Sequence, residues 1–350
     1  MAVSLGRMSL RSEIAEQPAV IGRLLESGWP LARSLSRPLA AAEHLTIAAR
    51  GSSDNAAVYG KYLFESLAGV VTALAAPSLV TRYRMPPSFA RGAVIGISQS
   101  GAAPDVAAVL AEARAARAPT IAITNSARSL LARSAQDVFL LGAGPERSVA
   151  ATKTYTATCV ALALLAANSA EARGRSALSL AGLIESVTEA EAAERDAARL
   201  ARRIGRGRTI IVLGRGYEYA TALEAALKVK ELAGVWAEPY SSADFAHGPI
   251  SLLEPGVPVL LFAARGAAQR EARSMSRTLR ERGARIYAVT TDAGTAELAD
   301  DAILLRAPLS EALTPISFAV VAQLFALSLA VRRGRDVEHP RGLSKVTRTR

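Results

Sequence analysis

Short runs of branched apolar residues alternate along the chain with longer stretches in which apolar positions recur every three to four residues. The first pattern belongs to buried strands and the second to helices, and their alternation is what βαβ units and a parallel sheet require. Residues 45–49, 93–97, 120–124 and 138–141 read as strands in the first half, and 209–213, 258–263, 285–289 and 302–305 in the second. Each is followed by a turn rich in Gly, Ser, Asp or Pro. Residues 176–204, rich in Ala, Glu and Arg, are expected to form one long connecting helix. The expected division is a helical arm (1–36), a first domain (37–170), a connector (171–204), a second domain (205–335) and a tail (336–350).

The halves look like copies. RGSSDNAAVYGKYLFESLAGV, starting at Arg50, aligns without gaps on RGYEYATALEAALKVKELAGV, starting at Arg215. The same offset of 165 places Gly101 on Gly266. A match of 21 residues that recurs at a second site points to duplication.

With 350 residues, half of them apolar, two medium domains can each bury a core, and wholesale disorder is excluded. Aromatics, at 5%, are too few for a base-stacking surface. The 42 Lys and Arg exceed the 31 Asp and Glu, for a net +11, but the arginines are scattered. The excess reads as solvated surface whose field would favour an anionic substrate; neither nucleic acid nor membrane is expected as a partner. One cysteine excludes an intramolecular disulfide, and Cys159 sits in a helical Ala/Leu/Thr stretch that should bury it. The start of the chain has no apolar segment of the secretory type. The longest apolar stretch, 316–331, carries Ser317, Gln323 and Ser328 and reads as a buried helix. A soluble, cytoplasmic protein is expected.

The most informative loop is GISQSGAAPD, Gly96–Asp105, between a strand and a helix opened by Pro104 and Asp105. Its backbone amides, with the side chains of Ser98, Gln99 and Ser100, could surround a phosphate, and Gly101 would let the backbone approach. A plain polar turn would look the same. The second half has AARG at the equivalent place and no hydroxyls. The turn Arg50-Gly51-Ser52-Ser53 offers two more hydroxyls, either for a ligand or as ordinary helix caps. Both loops at the carboxyl edge of one sheet would flank one crevice.

Other motifs fail. Gly214-Arg215-Gly216 has Tyr219 where a dinucleotide fingerprint needs its third glycine. Gly96-Ile97-Ser98-Gln99-Ser100 lacks the last glycine of a nucleophile elbow. His44, His247 and His339 are too dispersed for a zinc motif. Neither metal nor cofactor is called for.

Glu224, Lys228 and Glu231 share one helix face. A solvated salt-bridge stripe is the plain reading. Against it, the rest of that helix is apolar or small, and its sibling has Leu63 and Ser66 in place of Lys228 and Glu231. His247, in SSADFAHGP, could be a structural histidine, and Lys345, near the end, part of a frayed basic tail.

RGSS, SQSG, VAATK (Val149–Lys153), LGRG, LKVKE (Leu227–Glu231), AHGP and PRGLSK (Pro340–Lys345), in this order, resemble the sugar isomerase (SIS) domain family. The likeness is to the tandem isomerase half of glucosamine-6-phosphate synthases, and more closely to stand-alone, isomerase-like glucosamine-6-phosphate deaminases. It implies an α/β fold of two flavodoxin-like αβα domains with parallel five-stranded sheets, related by duplication, in a homodimer. It also implies that Ser52, Ser53, Ser98, Gln99 and Ser100, with Val149 and Ala151, contact phosphate and sugar. Lys228 and Glu231 would flank the sugar's C1 and C2, with Glu231 the proton-transfer base. His247, supplied by the neighbouring subunit, would open the ring, and Lys345 would form a Schiff base with the open-chain keto sugar. Ala103 and Ala151 stand where the family has a threonine near phosphate and a serine near the sugar hydroxyls. With no cysteine near the start, glutamine hydrolysis is not expected. The implied reaction is glucosamine 6-phosphate plus water to fructose 6-phosphate and ammonia. Alternatives are isomerisation or deglycation of another phosphosugar, or a silent sugar-phosphate sensor.

Overall fold

A computed structural model describes residues 9–176, 178–205 and 207–345. Contacts divide the chain into two compact units. The first-sheet unit holds residues 19–146 and 153–179 with Ser344 and Lys345; the second-sheet unit holds 9–18, 147–152 and 180–343.

In the first-sheet unit, β1 (His44–Ala48), β2 (Val71–Leu74), β3 (Gly92–Ile97), β4 (Thr120–Thr124) and β5 (Asp137–Leu140) form one sheet in the order β2-β1-β3-β4-β5. Every pairing is parallel. All six residues of β3 and all five of β4 are buried, as central strands covered on both faces must be. Helix α1 (Ser52–Leu63) follows β1 and α2 (Pro104–Ala115) follows β3. Helix α3 (Lys153–Ala172) is buried along nearly its whole length and includes Cys159.

The second-sheet unit repeats this winding. Strands β6 (Thr209–Gly214), β7 (Trp236–Ser241), β8 (Pro258–Ala263), β9 (Arg285–Thr290) and β10 (Asp301–Leu304) are parallel, in the order β10-β9-β8-β6-β7. Read from the other edge, this is the first sheet's order. The 165-residue offset extends to fine detail. Helix α1 ends in a π-helical turn, Phe64–Ala68, closed by left-handed Gly69; its sibling α4 (Glu218–Lys228) ends in another, Val229–Ala233, closed by left-handed Gly234. Helix α5 (Gln269–Glu281) follows β8, as α2 follows β3. Helix α6 (Thr314–Arg332) contains the long apolar stretch. It is long and apolar enough to cross a membrane, but most of it is buried in the protein.

Two expectations need correction. The connector is not one helix: residues 176 and 178–182 are outside any helix and two helices follow, Leu183–Ala192 and Glu194–Ile204, separated at Ala193. Tertiary contacts override helical propensity there. Glu189 accepts the amides of Arg306 and Ala307, whereas Glu191 and Glu194 both pair with Arg11. Strands β2 and β7 were not among the strands read from the pattern. Both are sheet edges, and Val71 and Trp236 are each 70% exposed, so no strong apolar signal marks them.

Candidate active site

The β1–α1 and β3–α2 turns leave the carboxyl ends of adjacent strands, paired with Ala48 beside Gly96. The sheet order reverses between these two strands, and ligands of open α/β sheets bind in the crevice at such a point. Ser52 and Ser53 open α1. Its cap is Gly51 and no side chain caps it, so the ordinary capping role is not what these hydroxyls do. Gly101 has φ +63°, and a Cβ there would collide with Ser129. Arg50 ties the turns together, its Nε 2.8 Å from the buried Asp105 carboxylate. Gln99 holds the loop through its carbonyl, which accepts from Thr124 Oγ1 at 3.2 Å and from the Asn125 amide at 3.0 Å. Ser100 Oγ accepts from the Ala102 amide at 3.3 Å. Burial raises the Asp54 carboxyl above the usual range, and Arg50 opposes this. The result is a strand-end crevice edge bearing serine hydroxyls and backbone amides, an arrangement that can receive an anion.

In the second-sheet unit the predicted stripe is not solvated. Lys228 is 1% exposed, Glu224 0% and Glu231 23%. Lys228 Nζ lies 2.5 Å from Glu231 Oε2 and 3.5 Å from Glu224 Oε1. The π-helical turn begins at Val229, immediately after Lys228, and carries Glu231. A buried ammonium thus faces one fully buried carboxylate and one that reaches solvent. That arrangement can hold and move a proton.

The corresponding sheet edge of this unit is equipped differently. After β8, the amides of Ala267 and Ala268 donate to the Glu311 carboxylate at 2.6 and 3.3 Å. Where the first copy has Ser53, the second has Glu218, wholly buried and hydrogen-bonded to Thr221 and Thr314, both at 2.5 Å. Desolvation, aided by nearby Glu311, raises its carboxyl to about 8 against the opposing hydroxyl bonds, so it is protonated at neutral pH.

His247 ends a short helix, Ser242–Ala246, and is exposed; no bond joins its ring to Lys228 or Glu231 among the described residues. Val149 and Ala151 are half-buried on the segment before α3, where Glu13 accepts the amides of Arg147 and Ser148. Lys345 is not frayed: its Nζ lies 3.1 Å from Glu146, a buried carboxylate also bonded by the amide and hydroxyl of Thr154. Residues 346–350 of the tail lie outside the described residues. Sequence reading left Glu146 out, because 199 residues separate it from Lys345. Glu224 was visible at helical spacing from Lys228, but nothing local marked it as the second carboxylate of a buried cluster.

Two sheets of one winding, one with serine-bearing turns at its carboxyl edge and the other with a buried Lys–Glu cluster, define a duplicated doubly wound α/β protein. Residues 38–168 and 204–333 each match the family model of the SIS domain, and the chain belongs to that family. It is 39% identical over 357 residues to a glutamine–fructose-6-phosphate aminotransferase (isomerizing) of Gloeobacter violaceus, covering 97% of this chain and 58% of that protein. The chain thus spans little more than half the length of this curated relative. The C-terminal domain of glucosamine-fructose-6-phosphate aminotransferase from Francisella tularensis has a similar structure, with a TM-score of 0.85 and 26% identity over 95% of this chain and 98% of that one. A chain from Silicibacter pomeroyi, whose assignment as a phosphosugar isomerase is itself a proposal, has a TM-score of 0.81 at 34% identity, covering 94% and 99%.

Proposed function

We propose that the chain deaminates and isomerises glucosamine 6-phosphate, giving fructose 6-phosphate and ammonia with uptake of water. The observation that carries this reading is the Lys228–Glu231 contact of 2.5 Å, buried at one end and open to solvent at the other. An aldose–ketose shift needs a carboxylate that takes a proton from C2 and returns it to C1. Glu231 fills that role. Lys228 stabilises the oxygen or nitrogen that gains electron density as the enolic intermediate forms, and Glu224 keeps Lys228 charged and in place. Ser52, Ser53, Ser98, Gln99 and Ser100 take the phosphate, and Val149 and Ala151 face the sugar chain. Anchoring the phosphate holds the reacting carbons in register with the base.

His247 protonates and opens the ring. Its exposure in the single chain suits a residue lent to a partner subunit, so the proposed working form is a homodimer. Once the proton shift has left an iminium at C2, the unprotonated Lys345 amine adds there and displaces ammonia, and water then hydrolyses the lysine Schiff base to give fructose 6-phosphate and the free lysine. The Glu146 carboxylate holds this lysine before substrate arrives. The proposed division of labour follows the sequence boundaries, with a cradle domain (37–170), a proton-transfer domain (205–335) and a tail (336–350), in a soluble cytoplasmic enzyme that needs no metal or cofactor.

The test is release of ammonia and fructose 6-phosphate from glucosamine 6-phosphate, with other phosphosugars as controls. Turnover of a different phosphosugar alone would move the assignment to an isomerase or deglycase of that sugar. No turnover, with thermal stabilisation by these ligands, would make the chain a sensor.

A further inference from the structure

We propose that the second-sheet unit carries an anion site of its own, at the carboxyl edge of β8, β9 and β10, which takes the phosphate of a small phosphorylated metabolite in exchange for Glu311.

A cavity of about 610 Å³ opens at this edge, lined by Arg265, Gly266, Thr291, Arg306 and Pro308 among others. Its size suits a sugar phosphate and exceeds what a free phosphate needs. Arg265 and Arg306 are exposed, and neither guanidinium has a carboxylate partner among the described residues. The backbones of both are fixed: the Arg265 amide donates to Thr291 Oγ1 at 2.8 Å, and the Arg306 amide to Glu189 at 2.8 and 2.9 Å.

Within this edge an anion is already bound, and it belongs to the protein. Glu311 accepts the amides of Ala267 and Ala268, which lead into α5. Gly266 makes room for it, since a Cβ at that position would collide with the Glu311 carboxylate. The geometry is therefore that of a backbone anion cradle occupied by an internal surrogate. Glu311 is only half-buried, so leaving for solvent requires little desolvation of other groups. A phosphate dianion brings more charge and more acceptor oxygens to the same amides, and the two guanidiniums would engage it as well. Glu311 then acts as a competitor that sets the threshold concentration for binding.

The site is distinct from the Ser98–Ser100 loop and independent of the proposed catalysis, so its test reads binding alone. Calorimetric titration of the S98A/S100A/E231Q protein, in which the first-sheet site is weakened and turnover blocked, with inorganic phosphate and with glucosamine 6-phosphate should show saturable binding at a second site besides the weakened one. Glu311→Ala in that background should tighten it roughly tenfold or more, because two amides become available without competition. Glu311→Gln, which keeps the shape and removes the charge, should tighten it by less. R265A/R306A should weaken it roughly tenfold or more, with an unchanged unfolding midpoint. Absence of binding whether or not Glu311 is present, or binding that the arginine changes leave unaltered, would overturn the proposal.

Discussion

The turn after β3 and the turn after β8 occupy one place in two copies of one fold, yet they treat negative charge in opposite ways. The first presents Ser98, Gln99 and Ser100 and, among the described residues, has no carboxylate on its amides; the second lacks hydroxyls and has seated Glu311. The helices at the neighbouring strand diverge in the reverse sense. Tyr59, Leu63 and Ser66 on the first copy correspond to Glu224, Lys228 and Glu231 on the second, at the same π-helical turn. Duplication has kept the strand order, the helix ends and the left-handed glycines, which the backbone needs twice. Under the proposed function the chemistry is needed once, with a different half of it on each copy.

The largest effect expected from disturbing this asymmetry is on stability. Lys228→Met leaves Glu224 and Glu231 without their shared cation and should cost about 3–5 kcal/mol in chemical denaturation. A loss below about 1 kcal/mol would mean the cluster is solvated after all. Glu231→Gln keeps the shape and hydrogen bonding while deleting the base. Turnover should fall roughly a hundredfold or more with ligand binding intact, and near-normal activity would return the trio to a structural role.

For the tail, removal of residues 341–350 should abolish turnover and lower the melting temperature by a few degrees, because the buried Glu146 loses its cation, whereas borohydride treatment of the intact chain with substrate should label Lys345. An active truncated chain would deny the tail any part in the reaction. Ser98→Ala with Ser100→Ala should raise KM for phosphorylated sugars about tenfold, the worth of one charge-assisted hydrogen bond. An unchanged KM would place the substrate phosphate elsewhere.

The smallest effect concerns Glu218, the acid that replaces Ser53. The folded chain keeps its proton up to about pH 8, whereas the unfolded chain releases it near the ordinary glutamate value of 4.5. Between these values the folded state binds more protons, so this contribution to stability is complete below the interval and is lost as the pH rises through it, by at most about 1.4 kcal/mol per pH unit. Denaturant titrations from pH 5 to 9 should show this slope, and Glu218→Gln should flatten it. Identical slopes in the two proteins would show that Glu218 titrates normally.

Much of the scaffold was legible before any coordinates. Eight of the ten strands lie within a residue or two of where the apolar runs put them, because a central parallel strand must be apolar on both faces. The duplication, the glycine after β3 and the helix carrying Lys228 could likewise be read locally, since strand, turn and helix each impose a short-range pattern. The edge strands and the break at Ala193 could not, because an edge strand buries little and a helix bends where distant side chains hold it.

The chain's own order of residues determined the two-copy α/β plan, the polar loop after the third strand and the Glu224–Lys228–Glu231 spacing. Tertiary structure decided what those groups are. It buried Lys228 between two carboxylates, set Lys345 on Glu146 across 199 residues, and put Glu311 on amides 43 and 44 residues before it. The physical reason is range. Periodicity records which face of an element meets the core, but a charge takes its character from burial and from partners that only the folded chain brings near.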